Sequence, residues 1–366
     1  MITLTVGVQP RPYEARIEHG LLTKAGPALR EVLGTGRHLF VATVAPVRRK
    51  WARTLMASLA SAGFEARLLE MPDGERHKRL ATVEILAEKL VALGADRDAV
   101  LLAFGGGVTG DAVGLLASLF MRGVEVVQVP TTLLAQVDSS IGGKTGVNLK
   151  AGKNLLGTYY QPRLVLIDPA VLLTLPERHY RAGLYEVLKC GVIGNPGLFR
   201  EFEEKRDRIL GRDLATLERL IAESVRLKAA VVAGDERENG LRRVLNLGHT
   251  VGHALEAETG YRTLLHGEAV GWGIVAAAQI AAAVGMLDQT SARRIGEVTL
   301  ALGRLPRLEV RSRSVIRRLR SDKKTRNRRV HFVLPTEIGN VEVVDDVPEE
   351  VALRVVEQIR RRSGRS

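Results

Sequence analysis

Cysteine occurs once in the 366 residues, as Cys190, so no disulfide can form within the chain, and the composition fits a reducing compartment. Aromatic residues make up only 4%, so the cores must be built from Leu, Val, Ile and Ala. Long hydrophobic runs are also missing. Trp272–Leu287 comes nearest, but it is Ala- and Gly-rich, contains Gln279 and falls short of the ~20 residues a bilayer demands. It reads as a buried core helix. The first residues, MITLTVGVQPRPYEARI, lack a basic-then-apolar leader pattern. No internal repeat or low-complexity linker is visible. These absences point to a cytoplasmic protein with no membrane partner.

Positive charge is in excess, with a formal net charge of +13. Arginines crowd the C-terminal part, from Arg304 through Arg307, Arg311, Arg313, Arg317, Arg318, Arg320, Arg326, Arg328 and Arg329 to the tail RRRSGRS. Such a field attracts polyanions, whether nucleic acid or a phosphorylated substrate. No helix-turn-helix, finger or RNA-binding signature accompanies it, and no aromatics are interleaved for stacking. The reading is a solvated Arg-rich surface with no specific nucleic-acid partner.

With 45% hydrophobic and 26% charged residues the chain is globular, and ~150 residues per domain suggests two domains. Residues 1 to 170 alternate strand and helix patterns. Strands are expected at His38–Ala42, Ala66–Leu69, Val100–Phe104, Val124–Val129 and Leu164–Ile167, with helices at Arg49–Ala62 and Leu80–Leu93. This is a Rossmann-like α/β domain on a parallel sheet. Residues 171–366 turn mostly helical: Arg181–Gly191, Gly197–Lys205, Asp213–Gly234, Leu241–Glu258, Glu268–Val284, Asp288–Leu302, Ser314–Arg320 and Pro348–Arg361. Two short strands, Val330–Leu334 and Val341–Val344, sit late in this half.

Strand Val100–Phe104 runs into GGGVTGD (Gly105–Asp111), where Gly105, Gly107 and Gly110 fit G-x-G-x-x-G between a strand and a helix. Glycines there let a pyrophosphate reach N–H groups at a helix start. The strand comes late in the chain, however, whereas this fingerprint usually opens its fold. A second loop, VPTTLLAQVDSSIGGKTGVNLKAGKN (Val129–Asn154), supplies hydroxyls, free N–H groups, Lys144 and Lys153, and the Asn154 amide, an inventory suited to a phosphate or a polyhydroxylated acid. Its Gly143-Lys144-Thr145 is not a P-loop, because Asp138 stands where the first glycine belongs.

The richest stretch runs from Asp235 to Gly271. Asn246, His249, His253 and Glu256 step by threes and fours, so on a helix they share one face, and His266 follows. Two histidines at i, i+4 can hold a transition metal, with a carboxylate or third imidazole completing an open site; the same spacing also fits solvated helix histidines.

Taken together, PDGERHK (Pro72–Lys78), GGGVTGD, FMRG (Phe120–Gly123), VPTTLLAQVDSSIGGKTGVN, KNLLGTYYQP (Lys153–Pro162), GLYEVLKCGVI (Gly183–Ile193), DERENGLRRVLNLGHTVGHALE, HGEAVGWG and DKK (Asp322–Lys324) closely resemble the 3-dehydroquinate synthase family, in order over nearly the whole chain. The resemblance implies an NAD-binding α/β domain, a helical domain, an active site in the cleft between them and a functional homodimer. It places the metal, zinc or alternatively cobalt, on Glu186, His249 and His266, and turns His253 toward the substrate. It assigns substrate or catalytic roles to Asp138, Lys144, Asn154, Lys189, Lys228, Arg242, Asn246 and a lysine of Lys323-Lys324. Arg122 is expected to reach a neighbouring subunit's substrate phosphate. Cofactor positions fall on Asp73, Glu75, Lys78, Gly105, Gly106, Gly107, Asp111, Thr131, Thr132, Lys144 and Lys153. Many relatives carry an acid for the adenosine ribose where Thr43 stands here.

The implied substrate is a small phosphorylated sugar acid, 3-deoxy-D-arabino-heptulosonate 7-phosphate, cyclised to 3-dehydroquinate with loss of phosphate. The rivals are another sugar-phosphate cyclase of secondary metabolism, a metal-dependent polyol dehydrogenase and a nucleic-acid-binding protein. Lys228, Arg242, Asn246, His253 and the DKK lysines favour the first reading, since they suit a carboxylate and a phosphate.

Overall fold

The computed structural model describes residues 1–238, 240–323, 330–345 and 347–364, without the side chains of 321–323. The chain forms two compact units: Met1–Pro176 with Leu214–Arg237, and Glu177–Asp213 with Glu238–Ser366.

The first unit is built on seven strands: β1 (Ile2–Val6), β2 (Tyr13–Ile17), β3 (His38–Val44), β4 (Glu65–Met71), β5 (Val100–Gly105), β6 (Glu125–Pro130) and β9 (Leu164–Ile167). Their order across the sheet is β1-β2-β9-β6-β5-β3-β4, parallel except for the β1–β2 pair. Strand β5, VLLAFG, is buried along its whole length, as a continuous apolar run in a sheet covered on both faces should be. From β3 the chain goes outward to β4 and then returns to β5 on the other side of β3. The carboxyl ends of β3 and β5 therefore form a topological switch point, where open α/β sheets bind ligands. The glycine loop leaves β5 at that point, which answers the objection that its strand comes late in the chain.

Three elements of this unit differ from the sequence reading. Strands β1 and β2 extend the sheet with short segments; β1 alternates partly exposed and exposed positions and so lacks an apolar run. The second loop ends in an antiparallel hairpin of β7 (Lys144–Leu149) and β8 (Gly152–Tyr159), whose Gly, Asn and Lys content hides its strand character. The cross-strand pair Gly146–Gly157 shows why glycine is required, since a Cβ on Gly157 would lie 2.0 Å from the Thr145 carbonyl oxygen. Helix Leu214–Gly234, grouped by pattern with the helical half, belongs to the first unit, and Ala233 lies beside Gly7.

The second unit is mainly helical: Glu177–Gly194, Pro196–Glu204, Arg206–Leu210, His249–Glu258, His266–Ala283, Gln289–Ala301, Ser312–Lys323 and Glu349–Ser363, with a hairpin of β10 (Phe332–Glu337) and β11 (Asn340–Val344). Helix His266–Ala283 is its core. It is apolar nearly all round, as a fully buried helix is, and no described helix is long and apolar enough to cross a membrane. Trp272 is completely buried in it and its indole N–H donates to the Pro306 carbonyl at 3.0 Å.

Candidate active site

In the second unit the donor atoms are gathered by close helix packing. Glu186 and Lys189 project from one face of Glu177–Gly194 at i, i+3, both almost fully buried. Helix His266–Ala283 runs against it with Gly267 at the crossing. A Cβ on Gly267 would stand 1.9 Å from the Ala182 carbonyl oxygen, so only glycine lets His266 come up beside Glu186. The third helix begins at His249, not at Leu241. Leu241–Asn246 is a separate 3-10 turn, and Gly248 at φ +79° breaks the path. A Cβ on Gly248 would meet the Ile274 nitrogen at 2.9 Å. Asn246 therefore does not share a helix face with His249, His253 and Glu256.

Glu186 Oε1 lies 3.4 Å from His266 Nε2 and 3.8 Å from His249 Nε2, while Lys189 Nζ holds Oε2 at 2.5 Å. Neither carboxylate oxygen meets a donor in hydrogen-bonding alignment, although Glu186 is 1% exposed. Lys189 offsets the charge at Oε2, whereas Oε1 faces only the two imidazole nitrogens, a buried position that a cation between them would complete. A metal about 2.0–2.2 Å from each of three tetrahedral ligands spaces their donor atoms about 3.4 Å apart, close to what is observed. The ring nitrogens facing away are also fixed. His249 Nδ1 bonds the Leu247 carbonyl at 3.1 Å, and His266 Nδ1 bonds Glu256 Oε2 at 3.1 Å. With Nδ1 facing these acceptors in both rings, both Nε2 atoms turn toward Glu186, where a bound metal would take the place of any Nε2 proton. The residues present fit a divalent metal.

His253 is exposed and its ring centroid stands 5.2 Å from that of His249 and 5.8 Å from that of His266. The donor atoms of the three imidazoles lie within 4.8 Å of one another. Proximity alone thus admits His253; the converging Nε2 atoms and the buried carboxylate favour Glu186, His249 and His266.

Charge in this cluster follows from burial and neighbours. Burial opposes ionisation of Glu186, but Lys189 and the facing imidazoles hold its carboxyl well below the usual carboxylate range. Burial, then the Lys189 charge, keeps His249 well below the ordinary imidazole value, so it is neutral. For His266 burial also acts downward, yet the adjoining Glu186 and Glu256 carboxylates push it up to about 10. Arg242 is buried on the 3-10 turn, and the Asn246 amide donates to Glu238 Oε1 at 2.9 Å.

In the first unit the glycine loop ends β5 and Gly107 starts helix Gly107–Leu119, whose first N–H groups have no intrahelical acceptor. A Cβ on Gly106 would touch Thr132 Cγ2 at 3.0 Å and one on Gly107 would touch Ser139 Oγ at 3.0 Å, so the loop lies against segment 131–139 with bare backbone. Such a cradle at a helix start fits a pyrophosphate. Beside it, buried Lys78 bonds Asp111 and, at 2.5 Å, Asn154 Oδ1. The Asn148 amide donates to Glu75 Oε1 at 2.7 Å, and its Oδ1 accepts from the Asn154 N–H at 2.9 Å. Residues expected at the cofactor and at the substrate thus share one network. Asp73 is exposed on the same loop, Lys144 is exposed at the start of β7, Lys153 is half-buried on β8, and Thr131 is buried ahead of half-buried Thr132. Lys228, on the helix regrouped into this unit, reaches Asp138 Oδ1 and the Asp138 carbonyl, each at 2.5 Å. Thr43 is wholly buried, so it offers no hydroxyl to a ribose at the surface.

Residues 68–182 match the family described as 3-dehydroquinate synthase N-terminal, and residues 183–325 the one described as 3-dehydroquinate synthase C-terminal. The chain belongs to the 3-dehydroquinate synthase family. A 3-dehydroquinate synthase of Koribacter versatilis (strain Ellin345) is 53% identical over 360 residues, 98% of each chain. Among solved structures, the 2-epi-5-epi-valiolone synthase ValA of Streptomyces hygroscopicus subsp. jinggangensis 5008, with NAD+ and Zn2+ bound, superposes with a TM-score of 0.87 at 31% identity over 96% of this chain and 97% of that one. A 2-deoxy-scyllo-inosose synthase complexed with carbaglucose-6-phosphate, NAD+ and Co2+ gives 0.85 at 26% identity over 98% and 99%.

Two family positions stand apart. Lys323 ends helix Ser312–Lys323 with its side chain outside the description, and Lys324 lies outside the described residues. Glu238, the Lys228–Asp138 pairing and the bond from Glu256 to His266 were not foreseen by sequence reasoning. The three-and-four spacing had placed Glu256 on the face of His249 and His253 but could not show that it turns to His266.

Proposed function

We propose that this protein is a 3-dehydroquinate synthase, converting 3-deoxy-D-arabino-heptulosonate 7-phosphate to 3-dehydroquinate and phosphate by transient oxidation, elimination, re-reduction and intramolecular aldol closure. The observation that carries the reading is the buried Glu186 carboxylate facing two Nε2 atoms within 3.8 Å, in a chain 53% identical to an enzyme of that name. Bound NAD supplies a hydride acceptor that gives the hydride back, and a divalent metal supplies Lewis acidity at the hydroxyl being oxidised.

The chain's own residues do the rest. Glu186, His249 and His266 hold the metal, zinc or alternatively cobalt. The Gly105–Gly107 turn with Asp73, Glu75, Lys78, Asp111, Thr131, Thr132 and Lys153 receives the cofactor. Lys189, Lys228, Arg242, Asn246, Asn154 and a lysine of the Lys323-Lys324 pair bind and orient the substrate, with Asp138 holding the Lys228 ammonium in place. Lys144 and Arg122 offer positive charge, and His253 a hydrogen bond, to the departing phosphate. The substrate's phosphate serves as base for its own elimination, which leaves the protein mainly to position it.

The direct test is incubation with the heptulosonate phosphate, a divalent metal and a catalytic amount of NAD. The expected outcome is many phosphates released per NAD, 3-dehydroquinate as product and no net NADH. Stoichiometric NADH would make the enzyme a simple dehydrogenase, and a different carbocycle would move it to the cyclases of secondary metabolism.

The working unit is a homodimer in this reading. Met121 and Arg122 are exposed and hold left-handed φ values of 49° and 67°, a conformation that costs energy and concentrates at functional sites. Arg122 would meet the partner's substrate phosphate as a charge-assisted pair. Arg122→Ala should then fold and dimerise while losing catalytic efficiency by roughly 2–5 kcal/mol. Mixed with Lys144→Ala, it should regain activity in heterodimers, one site being intact; heterodimers confirmed by mass and still inactive rule out action across the interface.

A further inference from the structure

We propose that Glu256 is a positioning residue for the metal centre, fixing His266 in the tautomer that turns Nε2 toward Glu186 and strengthening that nitrogen as a donor. The inference rests on the reading of Glu186, His249 and His266 as metal ligands. Three observations carry it. Glu256 is a carboxylate only 2% exposed, a costly placement unless its charge is used. Its Oε2 lies 3.1 Å from His266 Nδ1, on the side of the ring opposite the nitrogen that faces Glu186 at 3.4 Å. It also stands near the end of helix His249–Glu258, so the element that begins with one ligand carries the support of the other.

The two ligand histidines are thereby treated differently. His249 leans on a neutral backbone carbonyl, that of Leu247, at 3.1 Å, whereas His266 leans on a carboxylate. A charged acceptor makes a hydrogen bond roughly twice as strong as a neutral one and moves electron density toward the far nitrogen. Outer partners of this kind change metal affinity by about 10–100-fold when removed. Backbone bonds hold the support itself in place: the Glu256 carbonyl accepts the Tyr261 N–H at 2.8 Å and the Thr259 hydroxyl at 3.1 Å, which shapes the turn leading toward His266.

The test is metal affinity, read by competing Zn2+ between the folded protein and a chromophoric chelator, with Co2+ absorption as a second readout. Glu256→Gln keeps the shape and an acceptor but removes the charge; Glu256→Asp keeps the charge on a shorter arm. We expect Zn2+ affinity to fall about 10–100-fold in Glu256→Gln and less in Glu256→Asp, with a changed Co2+ spectrum in Glu256→Gln. Glu258→Gln, on the same helix but paired outward with Arg318 at 3.4 Å, should bind as wild type. If Glu256→Gln does not fold, Glu256→Asp decides alone. Wild-type metal affinity in the folded variants, with only the melting temperature lowered, overturns the proposal and leaves Glu256 a structural residue. If the wild-type protein itself binds no metal stoichiometrically, the ligand reading fails first, and that outcome is distinct.

Discussion

In the first unit two of the lysines singled out by the sequence rest on acids of their own unit, Lys78 on Asp111 and Lys228 on Asp138. In the second unit the balance is reversed. Glu186 is shared between one lysine and two imidazoles, and its oxygens lack an aligned donor. The first arrangement is satisfied as it stands and can exchange one partner for a ligand's anionic group. The second has room for a metal ion at Oε1, which is the role proposed for it. The two arrangements suit the two proposed roles by different means: paired charges for binding and positioning, a buried carboxylate with one oxygen turned to two imidazoles for a metal.

The largest effect should come from breaking the second arrangement without touching a ligand. Gly267→Ala places a Cβ 1.9 Å from a backbone oxygen that cannot step aside, so the helix carrying His266 must shift away from the one carrying Glu186. The expected loss is more than about 3 kcal/mol of stability, at the upper end for overpacking, together with loss of bound metal. Denaturant unfolding and metal analysis of the purified variant check both. A variant that unfolds early yet keeps one metal per chain would show that the helix crossing does not set the ligand distance.

A smaller effect should follow from breaking the first arrangement. Lys78→Met leaves Asp111 without its ammonium partner. Because Asp111 is 17% exposed, the cost should be about 2 kcal/mol, below the roughly 3–5 for a fully buried pair. Adding Asp111→Asn should restore part of it in a double-mutant cycle. Metal content should stay at wild type in both variants, while NAD affinity falls. Loss of metal from Lys78→Met would mean that the two constellations are not independent.

Some of this was legible beforehand. The sheet strands β3, β5, β6 and β9 announce themselves as apolar β-rich runs, and helices of the second unit as periodic ones, because burial dictates both patterns. The hairpin β7–β8 was not, since its register depends on Gly146 facing Gly157 and its hold on the unit depends on Asn148 and Lys78, neither of which has a periodic signature. The helix carrying Lys228 was grouped with the helical half, as the family match over residues 183–325 also groups it, whereas its contacts place it in the first unit, because composition reports helix and not neighbours. For the site, three-and-four spacing correctly put His249, His253 and Glu256 on one helix, but it paired His249 with His253. Family resemblance and geometry both favour pairing with His266 through Glu186. Spacing could not see that Gly248 ends one segment and starts another, nor that Glu186 arrives from another helix, far earlier in the chain than His266.

In the proposed centre Glu186, His249 and His266, and not His253, hold the metal. It is tested most directly by the metal content of two purified variants, His253→Ala and His266→Ala, each confirmed to be folded. The predicted result is close to one metal per chain in His253→Ala and none in His266→Ala. Metal retained in His266→Ala and lost from His253→Ala would contradict the assignment, and with it the proposed roles of Glu186 and Glu256.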